Sequence, residues 1–158
     1  MGRVVEPDEM AVIRTRLRDE RKSLVFTNGV FDILHCGHVE YLLKARGLGD
    51  ALVVGLNSDA SVRRIKGEKR PLVQERDRAF ILANLLPVDY VCLFGEDTPL
   101  GLITRLLPDV LVKGADYNVE DIVGREVVER AGGRVATIDF VPDRSTSGII
   151  ERILERFS

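Results

Sequence analysis

Apolar and polar residues fall along this chain in two alternating kinds of block. Residues 8–22 (DEMAVIRTRLRDERK) set Met10, Ile13 and Leu17 three and four apart, the spacing of a helix with one apolar stripe. Residues 23–27 (SLVFT) form a short apolar run that ends at Asn28-Gly29, as a strand entering a turn does. Residues 38–46 (HVEYLLKAR) read as helix, stopped by Gly47-Leu48-Gly49-Asp50, and 51–56 (ALVVGL) as a second buried strand. Asn57-Ser58-Asp59 can cap the next helix. Residues 63–71 (RRIKGEKRP) are polar, cationic and broken by Gly67 and Pro71, which predicts a loop. Beyond it the pattern predicts helix at 75–86, strand at 89–93, helix at 98–107 and strand at 110–112. A helix near 120–131 then stops at Gly132-Gly133, followed by a strand at 134–139 and a closing helix at 147–156.

Five strands thus alternate with helices, and several strands are apolar throughout rather than on one face only. That combination predicts an α/β fold with a single doubly wound parallel sheet, covered on both sides. Residues 1–158 read as one domain, with an N-terminal helix in 1–22 and a core over 23–156. Such sheets bind ligands beyond the carboxyl ends of their strands. The polar motifs fall there: 28–38 after the first strand, 57 onward after the second, 113–117 after the fourth, and 144–147 before the last helix.

Composition narrows the function. The chain has 158 residues, 45% of them apolar, and 23 basic against 25 acidic side chains give a net charge of −2. It lacks the basic excess of a nucleic-acid or membrane-surface binder, so neither partner is expected, while a few placed cations could still bind an anionic substrate. No apolar run approaches the roughly 20 residues that cross a bilayer, and the N-terminus has no signal-peptide core. The two cysteines, Cys36 and Cys92, are too few for a disulfide framework or zinc site. A cytoplasmic protein is expected.

Four motifs could carry chemistry. His35-Cys36-Gly37-His38 holds the only two histidines, at a strand-loop-helix junction. His38 falls in the first helical turn, where free N–H groups favour an anion, and Gly37 lets another backbone approach. Two imidazoles at one point could hydrogen-bond phosphate oxygens as charge develops; ordinary surface or capping histidines would look the same. Around Lys66, the cations Arg63, Arg64, Lys69 and Arg70 suggest either a solvated face or a lysine bent over a phosphate. In Lys113-Gly114-Ala115-Asp116-Tyr117, Gly114 permits a sharp turn, Asp116 could accept from a base or sugar, and Tyr117 could stack; a plain turn is the alternative. Arg144-Ser145-Thr146-Ser147 offers a helix N-cap, or a phosphate cradle with an arginine beside it.

The stretch TNGVFDILHCGH at 27–38 resembles the signature of the cytidylyltransferase-like nucleotidyltransferases, a Gly-x-Phe-Asp segment leading into H-x-G-H. The likeness continues in order through Asn57-Ser58-Asp59, Lys66-Gly67, Arg78, Asp89-Tyr90-Val91, 113–117 and 144–147, over about residues 23–156. With DTPL at 97–100 and VLVKGADY at 110–117, it is most similar to the adenylyltransferase domains of bacterial ADP-heptose synthases. Ala115 stands where that branch usually has Gly, and Ser147 where it often has Thr.

The resemblance implies transfer of AMP from ATP to D-glycero-D-manno-heptose 1-phosphate, giving ADP-heptose and pyrophosphate. It casts His35, His38 and Lys66 as catalytic. Val30, Phe31, His35, His38, Gly114, Asp116, Arg144, Ser145, Thr146 and Ser147 would bind the nucleotide, and Asn57, Asp59, Lys66 and Arg78 the sugar phosphate. Mg²⁺ is expected as cofactor, carried mainly by the triphosphate rather than by a protein cage. A homodimer is implied, as is a separate sugar kinase upstream, because many relatives fuse this domain behind a kinase. The rival readings are a cytidylyltransferase acting on glycerol 3-phosphate or a similar small phosphate, and a non-catalytic nucleotide-binding regulator.

Overall fold

The computed structural model describes residues Met1–Ser158. Six parallel strands form one sheet: β1 (Arg3–Val4), β2 (Leu24–Gly29), β3 (Ala51–Asn57), β4 (Tyr90–Phe94), β5 (Val110–Gly114) and β6 (Arg134–Ile138). Their spatial order is β1-β4-β3-β2-β5-β6. The chain winds outward from β2 through β3 to β4, then returns across the sheet to place β5 and β6 on the other side of β2. The topological switch point therefore lies between β2 and β5, where open α/β sheets bind ligands. This is the doubly wound sheet the pattern predicts.

Two apolar layers hold the helices against it. On one face, α1 (Pro7–Asp19), α5 (Leu100–Leu106) and α6 (Arg125–Arg130) bury Met10, Ile13, Leu17, Leu102, Ile103, Leu106 and Val128 against Phe26, Val53, Cys92 and Leu111. On the other, α2 (Cys36–Arg46) and α4 (Glu75–Ala83) bury Tyr41, Leu42, Ala45, Ala79, Leu82 and Ala83 against Val25, Leu52, Val54, Val91, Val110 and Val112. Burial on both faces explains why β3 is buried at every position and reads as an unbroken apolar run. The last helix, α7 (Thr146–Phe157), buries no residue and shows Ile153, Leu154 and Phe157 to solvent.

Four expectations change. A sixth strand precedes α1: Gly2 donates to Ala83 O (2.8 Å), Arg3 to Asp89 O (3.0 Å) and Val5 to Val91 O (2.9 Å). Two residues are too few to show a period. Residues 1–22 are also no appendage. The buried Arg14 bonds Asp109 (2.8 Å) and the Leu106 and Leu107 carbonyls at the end of α5, and Asp109 in turn accepts from Leu24 N–H (2.7 Å).

The expected loop at 63–71 starts late, because α3 (Asp59–Lys66) runs through Arg63, Arg64 and Lys66 to Gly67. Ser58 caps it by accepting from Ser61 N–H (3.2 Å), and the cations suit its last turn. Finally, the helix expected at 120–131 is a 3-10 turn, Val119–Asp121, followed by α6, and the break is Gly124 at φ 87°. A side chain there would meet Ile103 at 2.8 Å, so only glycine suits both the conformation and the packing.

Candidate active site

A cavity of about 1010 Å³ opens over the carboxyl ends of β2, β3 and β5. It collects residues from each of the four motifs: His35 and His38, Lys66, Lys113 and Gly114, and Arg144, Ser145, Thr146 and Ser147.

The histidines come first because the chain fixes them most tightly. His35 is the N-cap of α2, in extended backbone, and its N–H donates to Nδ1 of His38 at 3.4 Å. With Nδ1 accepting, the proton of the neutral His38 ring belongs on Nε2, an assignment from the hydrogen-bond pattern. The two rings stack with centroids 3.9 Å apart, and Phe31 tilts against His38 at 5.3 Å. Burial, then the neighbouring His35, push the pKa of His38 down to about 4. Burial, then Arg144, lower that of His35. Both rings are therefore neutral donors at pH 7. Nδ1 of His35 is buried without a hydrogen-bond partner, a group that a ligand can satisfy. Gly37 allows this crowding, since a Cβ there would lie 3.0 Å from His35 Nδ1 and 3.3 Å from Arg144 Cβ.

Phe31 holds φ 49°, a left-handed conformation that costs a non-glycine residue about 1–3 kcal/mol. Its ring covers Gly29, where a Cβ would approach it to 2.9 Å, so the glycine makes room for the phenylalanine. The segment around it is held from below. Arg78 is 1% exposed and donates to Val30 O (2.7 Å), Val73 O (2.9 Å) and Asp59 Oδ1 (2.7 Å). Asp32 accepts from Arg70 Nε (2.7 Å) and from the N–H groups of Leu72 (2.9 Å) and Val73 (2.8 Å). Burial by itself would raise the pKa of Asp32, but these donors prevail and lower it.

Two of the residues expected at the sugar phosphate are held within the fold itself. Arg78 and Asp59 lie outside the cavity lining and pair with each other, because the fold uses them to fix Val30 and the start of α3. Asn57 does line the cavity, with its amide donating to Ser61 Oγ at 3.0 Å. Asp116 is exposed and sits beside Gly114 without lining the cavity. Gly114 does line it, and a Cβ there would overlap the Phe140 ring at 2.1 Å. Of the α7 hydroxyls, Ser145 Oγ accepts from Gly148 N–H (3.0 Å) and Thr146 Oγ1 donates to Ile33 O (2.9 Å), tying α7 to the loop after β2.

The cations separate cleanly. Arg64 pairs with Asp97 and Arg70 with Asp32, whereas Lys66, Lys113 and Arg144 line the cavity with no ion-pair partner. Lys69 is exposed and outside it. Sequence reading gives Asp97-Thr98 no site role beyond the resemblance at 97–100 and misses Phe140, although the strand-end rule points to both places. Tyr41, stacked on Phe140 at 5.9 Å, could not be read from sequence because helix periodicity marks it only as core.

Comparisons with known proteins now decide the family. The cytidylyltransferase-like family model matches residues 26–152. The chain belongs to the cytidylyltransferase-like family. It is a nucleotidyltransferase. The bifunctional protein HldE of Citrifermentans bemidjiense is 63% identical over 150 residues, covering 95% of this chain and 31% of that protein. Its namesake in Campylobacter concisus is 61% identical over 133 residues, or 84% and 27%. The chain thus spans about a third of the length of these curated relatives.

Among solved structures, the lipopolysaccharide core biosynthesis protein of Thermoplasma volcanium is 30% identical with a TM-score of 0.63, over 76% of this chain and 97% of that one. Pantothenate synthetase of Thermus thermophilus, 19% identical with a TM-score of 0.56 over 88% of this chain and 62% of its own, shares the fold. No helix in this family member is long and apolar enough to cross a membrane.

Proposed function

We propose that this chain transfers AMP from ATP to D-glycero-D-manno-heptose 1-phosphate, releasing pyrophosphate and ADP-heptose. One observation carries the reading. Two neutral histidines and three unpaired cations, Lys66, Lys113 and Arg144, surround one cavity at the switch point, while Arg70 and Arg78 are paired. Such a site suits several phosphates at once. The choice of heptose rests on the motifs at 97–100 and 110–117 and on the strong similarity to HldE proteins.

The acceptor's phosphate oxygen attacks the α-phosphorus in line. A P–O bond forms, the bond from the α-phosphorus to the bridging oxygen breaks, and pyrophosphate leaves with the electron pair. The acceptor is already anionic at neutral pH, so no base is needed and catalysis consists of positioning and charge stabilisation. His35 and His38 donate to the α-phosphate oxygens as negative charge grows there. Arg144 and the N-terminus of α7 hold the β- and γ-phosphates. Lys66 bridges the reacting phosphates. Mg²⁺ would be held mainly by the triphosphate oxygens and would offset part of their charge. On the same resemblance, the chain works as a homodimer and takes its acceptor from a sugar kinase.

The test is a panel of kcat/KM values for ATP and CTP, each with heptose 1-phosphate and glycerol 3-phosphate, read by pyrophosphate release. ATP with heptose 1-phosphate should win by at least tenfold, since a site built for one set of hydrogen bonds leaves polar groups unpaired with another. Preference for CTP with glycerol 3-phosphate would overturn the substrate and keep the transfer. Tight ATP binding with no turnover on any acceptor would mark a regulator instead.

A further inference from the structure

The cavity has two sides, and the sheet's pleat separates them. Side chains alternate between faces along a strand. Phe26, Val53 and Leu111 face the α1, α5 and α6 layer, so Asn28, Asn57 and Lys113, at even spacings from them, face that layer too. They meet Thr98 and Pro99 before α5 and Asp121 before α6 at the cavity wall. The histidines, Tyr41 and the α7 N-terminus belong to the opposite face, with α2. In-line displacement needs the attacking oxygen on the far side of the α-phosphorus from the leaving pyrophosphate. With pyrophosphate at α7, the acceptor comes from the Lys113 side.

That side mixes polar groups with Pro99, Ile122 and Val123. Nζ of Lys113 donates to Asn28 Oδ1 and lies 5.7 Å from the Tyr117 ring centroid, but no carboxylate pairs with it. Burial lowers its pKa to about 8, and no neighbouring charge offsets that. A half-buried ammonium with one neutral partner and no counter-charge keeps two N–H donors that a ligand can take. Beside it stands Asn28 with its amide N–H groups free, and Asn57 lines the same cavity with its amide given to Ser61 Oγ. The array around Lys113 offers donors and acceptors beside a wall that also holds Ile122 and Val123. That is the chemistry of a polyhydroxylated, phosphorylated sugar.

We infer that Lys113, held in place by Asn28, binds the sugar phosphate acceptor and selects it, leaving the nucleotide to the opposite side of the cavity. This rests on the nucleotidyl transfer proposed above. Lys113→Met keeps length and removes the donors. With pyrophosphate release as the assay, KM for the acceptor should rise at least tenfold. The Kd of ATP with Mg²⁺, from calorimetry, should stay within about threefold of wild type. Asn28→Asp gives Lys113 a permanent carboxylate partner and should raise the same KM; it carries the test should Lys113→Met fail to fold.

A loss of ATP binding equal to or larger than the loss of acceptor binding would place Lys113 with the nucleotide and overturn the inference, as would an unchanged acceptor KM in both variants. The wild-type panel is run first, so the two readings fail separately. Should another sugar phosphate prove to be the substrate, only the heptose identity falls, and the Lys113 comparison is made with that sugar. If no sugar phosphate is turned over, both readings fall.

Discussion

Asp32, Asp59, Arg70 and Arg78 make one group of charged residues around the cavity, and His35, His38, Lys66, Lys113 and Arg144 make another. In the first group every charge has a partner: Arg78 bonds three acceptors and Asp32 three donors. In the second, no cation is ion-paired and one histidine nitrogen is buried without any partner. The first group braces the fold, Asp32 and Arg70 while lining the cavity, and the second is left free to meet a ligand. What separates them is whether the fold already satisfies their hydrogen bonds, which no sequence spacing records.

The largest effect should come from breaking the brace. Arg78→Ala strands Asp59 and two carbonyls, and loss of one partner from a buried pair costs about 3–5 kcal/mol, the lower end here because Asp59 keeps 19% of its side-chain exposure. Urea unfolding should show that loss, while Lys66→Ala should stay within about 0.5 kcal/mol of wild type, as surface changes do. Equal stability of the two variants would erase the distinction between brace and site.

Next in size is the site itself. His38→Ala should lower kcat by about 10²–10³, the usual loss for one preorganised donor, and disturb ATP binding much less. Lys66→Ala should also lower activity, and Lys69→Ala should not, since only Lys66 reaches the cavity. A wild-type kcat in His38→Ala would take the histidine out of the reaction.

Much of this was legible beforehand, and the failures have a pattern. Strands β2 to β5 announce themselves because burial leaves apolar runs, and the strand-end rule then puts His35, Lys66, Gly114 and Arg144 near one another. β1 was invisible because two residues cannot show a period. α3 was shortened because its last turn is all cation and isoleucine, which reads as loop until Val62 is seen to be buried. Family motifs mark Arg78 and Asp59 without saying whether a side chain faces the substrate or the protein. Lys113 was quoted only as part of a turn, since the face it occupies follows from sheet register alone.

The smallest effect tests the electrostatics that set the site apart. Burial and His35 hold the His38 pKa near 4, against an ordinary value of 6.5. Between those values the unfolded chain binds a proton at this position that the folded one does not. Folding stability must therefore fall as pH drops from about 6.5 towards 4, and be unaffected by this group above 6.5. His38→Gln removes the titration and should flatten that part of the stability curve relative to wild type. Only two histidines exist, so their ring proton resonances can be followed directly. The His38 resonance should titrate with a midpoint near 4, and that of His35 below 6.5. Adding ATP with Mg²⁺ should raise both midpoints, because phosphate oxygens stabilise the charged ring where the empty cavity does not. A His38 midpoint at 6.5 in the free protein would mean that the ring is solvated, and that its neutral, donor-ready form at pH 7 owes nothing to the fold.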